Sequence, residues 1–220
     1  MGLPKTTICL VALAIVFGHP CDRARADCPG AEITLHAGLE DEFALPPEPT
    51  APSPELLSYM EEFWPQPPTR QFDTPGNDLA LIHTFTGWSG PVCGAMLKIR
   101  LAAQSSGLSS NDGIWLSLVG GTDLFHAFHY WTTIANVTGS WGPGSVATVV
   151  LDLSALPPFY EFPTNILDVL SDGSLELLVE DDTAVDSAAL QVCPCPVAIE
   201  RTSWGRVKTL YRGLSGGEPR

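Results

Sequence analysis

Basic side chains are the scarcest feature of this 220-residue chain, in which 11 Lys and Arg stand against 25 Asp and Glu, a formal charge of −14. Between residues 27 and 196 the shortage is sharper: Arg70, Lys98 and Arg100 face 22 acids, a net of −19. A nucleic-acid binder needs many phosphate-neutralising cations, so nucleic acid is excluded as a partner class. Charged residues make up only 16% of the chain and hydrophobic ones 45%, which separates it from a disordered acidic tail and supplies enough apolar mass for a core. No apolar run reaches the roughly 20 residues that span a bilayer. The longest, Thr6 to Gly18, has about 13 and carries no charge. Also missing are a Gly-x-Ser-x-Gly elbow, the alternating acids of an EF-hand loop and the paired C-x-x-C knuckles of a zinc site.

What is present points to export. A positive start at Met1 to Lys5, the apolar run and the small residues of Ala24-Arg25-Ala26 read as a secretory signal over residues 1–26, cleaved before Asp27. No transmembrane segment is expected after that cleavage, and the location is secreted, extracellular or at the cell surface. Of six cysteines, Cys9 and Cys21 leave with the leader, and Cys28, Cys93, Cys193 and Cys195 remain. An even number in an exported chain favours disulfides. Pairing Cys193 with Cys195 across one proline is strained, so each is expected to reach one of Cys28 and Cys93, with the partners left open. A four-cysteine zinc site is the competing reading, and a single C-x-C with two isolated thiols fits it poorly.

Gly and Pro number 20 each, a balance that favours short strands and turns over long helices. Residues 27–77 form a proline-rich extension with a first strand within Ala31 to Glu42 and a short helix from Pro54 to Trp64, where Leu57, Met60 and Trp64 share a face. Residues 78–196 form the body, with strand-like segments at Leu79 to Trp88, Val92 to Ala103, Gly113 to Val119, Ala127 to Ile134, Val146 to Leu153, Leu175 to Glu180 and Ala184 to Cys193. Alternation is plainest in Ala95, Leu97, Ile99 and Leu101 against Lys98 and Arg100. The fold class is therefore all-β, an antiparallel β-sandwich of jelly-roll type, with a short helix at Thr164 to Leu170 crossing between sheets. Residues 197–220 are net +3, a basic tail with a short amphipathic helix over Trp204 to Arg212.

The series Asp41 with Phe43-Ala-Leu-Pro46, Phe72-Asp73-x-Pro-Gly76, His83-Thr-Phe85, Ala95-x-Leu-x-Ile-Arg100, Ser110-Asn-Asp112, Leu151-Asp152-Leu-x-x-Leu-Pro157 and Val179-x-Asp181-Asp-Thr-Ala-Val-Asp186 resembles secreted bacterial β-sandwich proteins, some of which end in short sorting signals. The resemblance covers residues 31 to 195 and implies an extracellular location and a sandwich, with no established activity. The ending Trp-Gly-x-Val-Lys-x-x-Tyr-Arg is similar to terminal segments of exported bacterial proteins, and the charge reversal after Pro196 makes the basic tail the expected contact for sorting machinery or an acidic surface.

Carboxylates with so few bases have only water or a bound cation for company, and calcium is the expected cofactor. Asp181, Asp182 and Asp186 are the candidate ligands, with Asn111 and Asp112 from a second loop and Asp41 or Asp73 as further oxygen donors. In the competing reading Asp181 and Asp182 are Asx-turn residues and Asp186 lies on an exposed strand face. Trp88, Trp115, Tyr130, Trp131 and Trp141 are the candidate platform for a glycan or another cell-surface component. The competing reading is core packing; a regular strand would put Phe128 and Trp131 on opposite faces, and burial of all the tryptophan rings would exclude the platform. His126-x-x-His129 on a strand places its rings on opposite faces, which argues against a metal pair. The function expected is a non-enzymatic structural or ligand-binding module, ahead of a carbohydrate-binding module and an extracellular hydrolase.

Overall fold

The computed structural model describes residues 28, 31–44, 46–64, 66–74, 79–104, 111–121 and 126–196. The leader, the basic tail and its short helix lie outside the described residues. Among the described residues eight strands run in the order β1 (Ile33–Gly38), β2 (Leu81–Thr86), β3 (Val92–Ala103), β4 (Gly113–Leu118), β5 (Phe128–Thr133), β6 (Val146–Asp152), β7 (Ser174–Glu180) and β8 (Thr183–Pro194). They form two four-stranded sheets, ordered β1-β8-β3-β6 and β2-β7-β4-β5. Every pairing between these strands is antiparallel, and first joins last, second joins seventh, third joins sixth and fourth joins fifth. A long hairpin rolled over itself in this way is a jelly roll, the sandwich that the alternation predicts.

The core between the sheets comes from one face of each strand: Leu97, Ile99 and Leu101 of β3, Leu175, Leu177 and Val179 of β7, and Leu190 and Val192 of β8. The second sheet is buried on its outer face too. There the helix α1 (Pro54–Phe63) sets Leu56, Tyr59 and Met60 against Ile82, Trp115, Trp131 and Leu178. Pro54 fits the first helical turn, and Ser53 caps the helix by accepting a hydrogen bond at Oγ from the Leu56 amide at 3.1 Å. Ahead of the helix the Thr84 amide donates to the Ala51 carbonyl at 3.1 Å, so the extension covers the open edge of β2.

Two local expectations change. The crossover at Thr164 to Leu170 is no α-helix: the Asn165 side chain accepts from the Leu167 amide, and i→i+3 bonds lead into a 3₁₀ turn at Val169–Asp172. Gly173 ends that turn at φ +89, and a Cβ there would stand 2.4 Å from the Trp88 carbonyl oxygen, so only glycine fits. A short helix α2 (Ile134–Thr138), absent from the sequence reading, follows β5 and is capped by Thr133.

Strand regularity also breaks at Ser117, which sits at φ +56. Trp115 packs outward and Leu116 inward as alternation requires, yet Leu118 faces outward again. Its neighbour β5 shifts in step, so Phe128 and Trp131 share the outer face rather than opposing each other.

The disulfides join Cys28 to Cys193, with Cα atoms 5.5 Å apart, and Cys93 to Cys195, at 4.9 Å. They tie the start of the described chain and β3 to the end of β8, as expected, and decide the pairing that spacing left open.

Candidate metal centre

β8 carries one more residue than its partner at one point. Arg100 pairs with Ser187 and Leu101 with Val185, which leaves Asp186 as the extra residue of a bulge. A bulge re-aims side chains. Val185 and Ala188 still enter the core, while Asp186 and Ser187 both leave it.

Two other segments close over Asp186. β1 ends at Gly38, opposite Ser187, with φ +70, and a Cβ there would stand 2.5 Å from the Asp186 carbonyl oxygen, which makes glycine the residue that permits the approach. The chain then coils through Glu42 and Phe43, both at positive φ, and the Phe43 amide donates to Asp186 Oδ1 at 2.7 Å. Beyond the end of β1 the edge of β8 is taken over by the extension, where the Asp73 amide donates to the Val185 carbonyl at 2.8 Å. Asp73 itself lies at φ +58.

Three carboxylates therefore meet from parts of the chain far apart in sequence. Oxygen atoms of Asp41, Asp73 and Asp186 all lie within 4.8 Å of one another, and among the described residues this is the cluster with metal-binding spacing. Asp186 is fully buried and Asp73 is 2% exposed, whereas Asp41 opens to solvent. Asp41 Oδ1 accepts from the Ala44 amide at 3.0 Å. Arg100 Nε stands 3.1 Å from Asp186 Oδ2, an ion pair without hydrogen-bond alignment. Both oxygens of Asp73 are buried and accept no hydrogen bond from a donor; one to the Asp186 carboxylate forms only when a proton is shared between the two. Burial first, and then the charges of Asp41, Asp186 and Glu48, push its carboxyl up to about 7.

Three carboxylates offset by one guanidinium suit a divalent cation, and an all-oxygen set suits calcium or magnesium over zinc or copper. Asp41 on the solvent side provides a way in.

Of the five ligands expected from sequence, only Asp186 is in this cluster; Asp41 and Asp73, expected as auxiliaries, complete it. Asp112 is buried and occupied elsewhere, its Oδ2 accepting from the Trp141 indole and the Thr183 hydroxyl, each at 2.6 Å. Asn111 donates its side-chain amide to Asp181. Asp181 sits at φ +77 between β7 and β8, and the Asp182 carbonyl accepts from the Gln104 amide at 2.7 Å. The string around residue 181 therefore organises a turn, and among the described residues the cation-binding spacing arises where the bulge meets the extension.

The aromatic platform needs a like correction. Trp88, Trp115, Tyr130 and Trp131 are buried, since the second sheet is covered on both faces. Trp88 donates to the Leu170 carbonyl and Tyr130 to that of Pro157, at 2.7 and 2.8 Å. Trp141 is half-buried and held by Asp112. A further carboxyl, Glu180, stands beside Trp131 at Gly113, and burial pushes it up to about 7 against the opposing pull of the Trp115 indole. Comparison with protein-family models, with curated proteins and with solved structures gives no match.

Proposed function

We propose that the protein is an exported, non-enzymatic β-sandwich module in which calcium, held by Asp41, Asp73 and Asp186, clamps the proline-rich extension and the end of β1 to the bulge of β8. The carrying observation is Asp73, a carboxylate with both oxygens buried and without a donor between two others. Export is supported by two disulfides, which form and persist in oxidising compartments. In this reading the basic segment 197–220 is the element recognised by sorting machinery or an acidic surface; unchanged export and surface retention after its deletion removes that part.

The test is calcium binding itself. Elemental analysis of the purified protein is expected to find one calcium per chain, and chelation to lower the melting temperature. Calcium at about 100 times its Kd restores about 2.7 kcal/mol. A melting curve indifferent to both chelator and calcium overturns the reading.

A further inference from the structure

On the outer side of the second sheet, next to the contact of α1 Tyr59 with Phe128, lies an open groove of about 670 Å³ lined by His126, Phe128, His129, Tyr160, Glu161 and Phe162; the two histidines, expected on opposite faces of a strand, both border it because His126 precedes β5. Its size falls within the range of small-ligand sites. Tyr160 is its most unusual member, because the residue is 80% exposed in a molecule that buries Trp88, Trp115 and Trp131.

The position of that ring is set by a tight turn. The Phe162 amide donates to the Phe159 carbonyl at 3.3 Å, which makes Tyr160 the first central residue, and it stands at φ +48. Glycine or asparagine is at ease there, and a bulky side chain is strained. Strain of this kind concentrates where a side chain is held for use. The ring is also braced: it lies within 10° of parallel to Trp131 with centroids 5.8 Å apart, and Phe159 meets it edge-on at 4.8 Å. A flat aromatic face is thus presented to water on a rigid support.

The polar lining selects the ligand class. Among the described residues no lysine or arginine borders the groove, and Glu161 makes it repel anions such as phosphates or uronates. Burial lowers the His129 pKa, with Asp172 opposing, so its ring is neutral near pH 7 and can both donate and accept a hydrogen bond. An apolar face beside groups that donate and accept matches a neutral, ring-shaped molecule bearing hydroxyls around its rim.

We infer that this groove binds a neutral saccharide, one pyranose ring lying on Tyr160 and its hydroxyls bonded to His126, His129 and Glu161. This site is separate from the carboxylate cluster and independent of calcium.

The experiment titrates the full protein, with calcium and with chelator, against cellohexaose, xylohexaose, mannohexaose and laminarihexaose, with pentagalacturonate as the anionic control. Calorimetry and tryptophan fluorescence are the readouts, the latter because Trp131 stacks on Tyr160. At least one neutral oligosaccharide is expected to bind with Kd below about 10 mM. Tyr160→Gly relieves the turn and removes little buried surface, so it keeps the melting temperature while weakening binding at least about tenfold. His129→Ala is expected to weaken binding several-fold as well. No binding by any neutral oligosaccharide, preference for galacturonate, or undiminished binding by folded Tyr160→Gly each overturns the inference. Saccharide binding that survives chelation, with no calcium response in melting, would sink the calcium clamp and leave this site standing.

Discussion

Asp73 is a carboxylate whose role depends on what stands beside it. Without a cation its charge is opposed by Asp41, Asp186 and Glu48, and it is relieved only by a proton; with calcium the same crowding becomes a ligand set. Asp73→Asn is therefore expected to act in opposite directions in two states. In chelator at pH 8 the variant should be more stable than the parent, by about 1–2 kcal/mol, because an unpaired buried charge is gone. In calcium it should be less stable, since the melting-temperature rise is lost; equal effects in both media would contradict this. Glu180 offers a pH dependence that does not involve the cluster. Its folded pKa of about 7 lies above the ordinary glutamate value of 4.5, so its stabilising contribution is complete below about pH 4.5 and is lost as pH rises through 7. The loss is on the order of 2–3 kcal/mol. Urea unfolding in saturating calcium at pH 5 and pH 8 measures it, and Glu180→Gln should flatten the profile.

Among the elements, α1 does more than decorate the sandwich. Its Leu56 and Met60 are fully buried against the outer face of the second sheet, which explains why β2 and β4 show continuous rather than alternating burial. Leu56→Ala should cost about 2–5 kcal/mol as a core cavity would, and Ser53→Ala about 1 kcal/mol through the lost cap. Denaturant titration separates the two, and a Leu56→Ala cost near zero would mean the helix is an appendage. Sequence periodicity did announce both α1 and most strand limits, because side-chain alternation and helix spacing are local properties. β3 runs over Val92–Ala103, the residues its alternation marks out. The irregularities were illegible for the same reason: neither the bulge at Asp186 nor the left-handed Ser117 has a local signature, since each exists to match a neighbouring strand.

For the molecule as a whole, both disulfides close very long loops, spanning 165 and 102 residues, and both converge on the last three residues of the β8 region. Opening such loops enlarges the unfolded ensemble, so replacing Cys93 and Cys195 together by serine is expected to cost about 2–5 kcal/mol, and thiol reduction of the parent more than that. Thermal melts with and without dithiothreitol provide the check; insensitivity to reductant would exclude the bridges as stabilising elements.

By itself the sequence determined the all-β class, the approximate strands, the acidity of the body and the cysteines that must find each other. These follow from composition and from periodicities of two and 3.6, which any short window contains. The tertiary structure alone decided which carboxylates share a site and which aromatic ring meets water. Asp41, Asp73 and Asp186 come together because the first strand pairs with the last and the extension continues its edge, so residues over a hundred positions apart become neighbours. Likewise the tryptophans read as a platform are hidden because a helix from the extension lies over their sheet, whereas Tyr160, with no distinguishing sequence pattern, is held out by a strained turn. Convergence in space is a property of the rolled topology, and no local pattern encodes it.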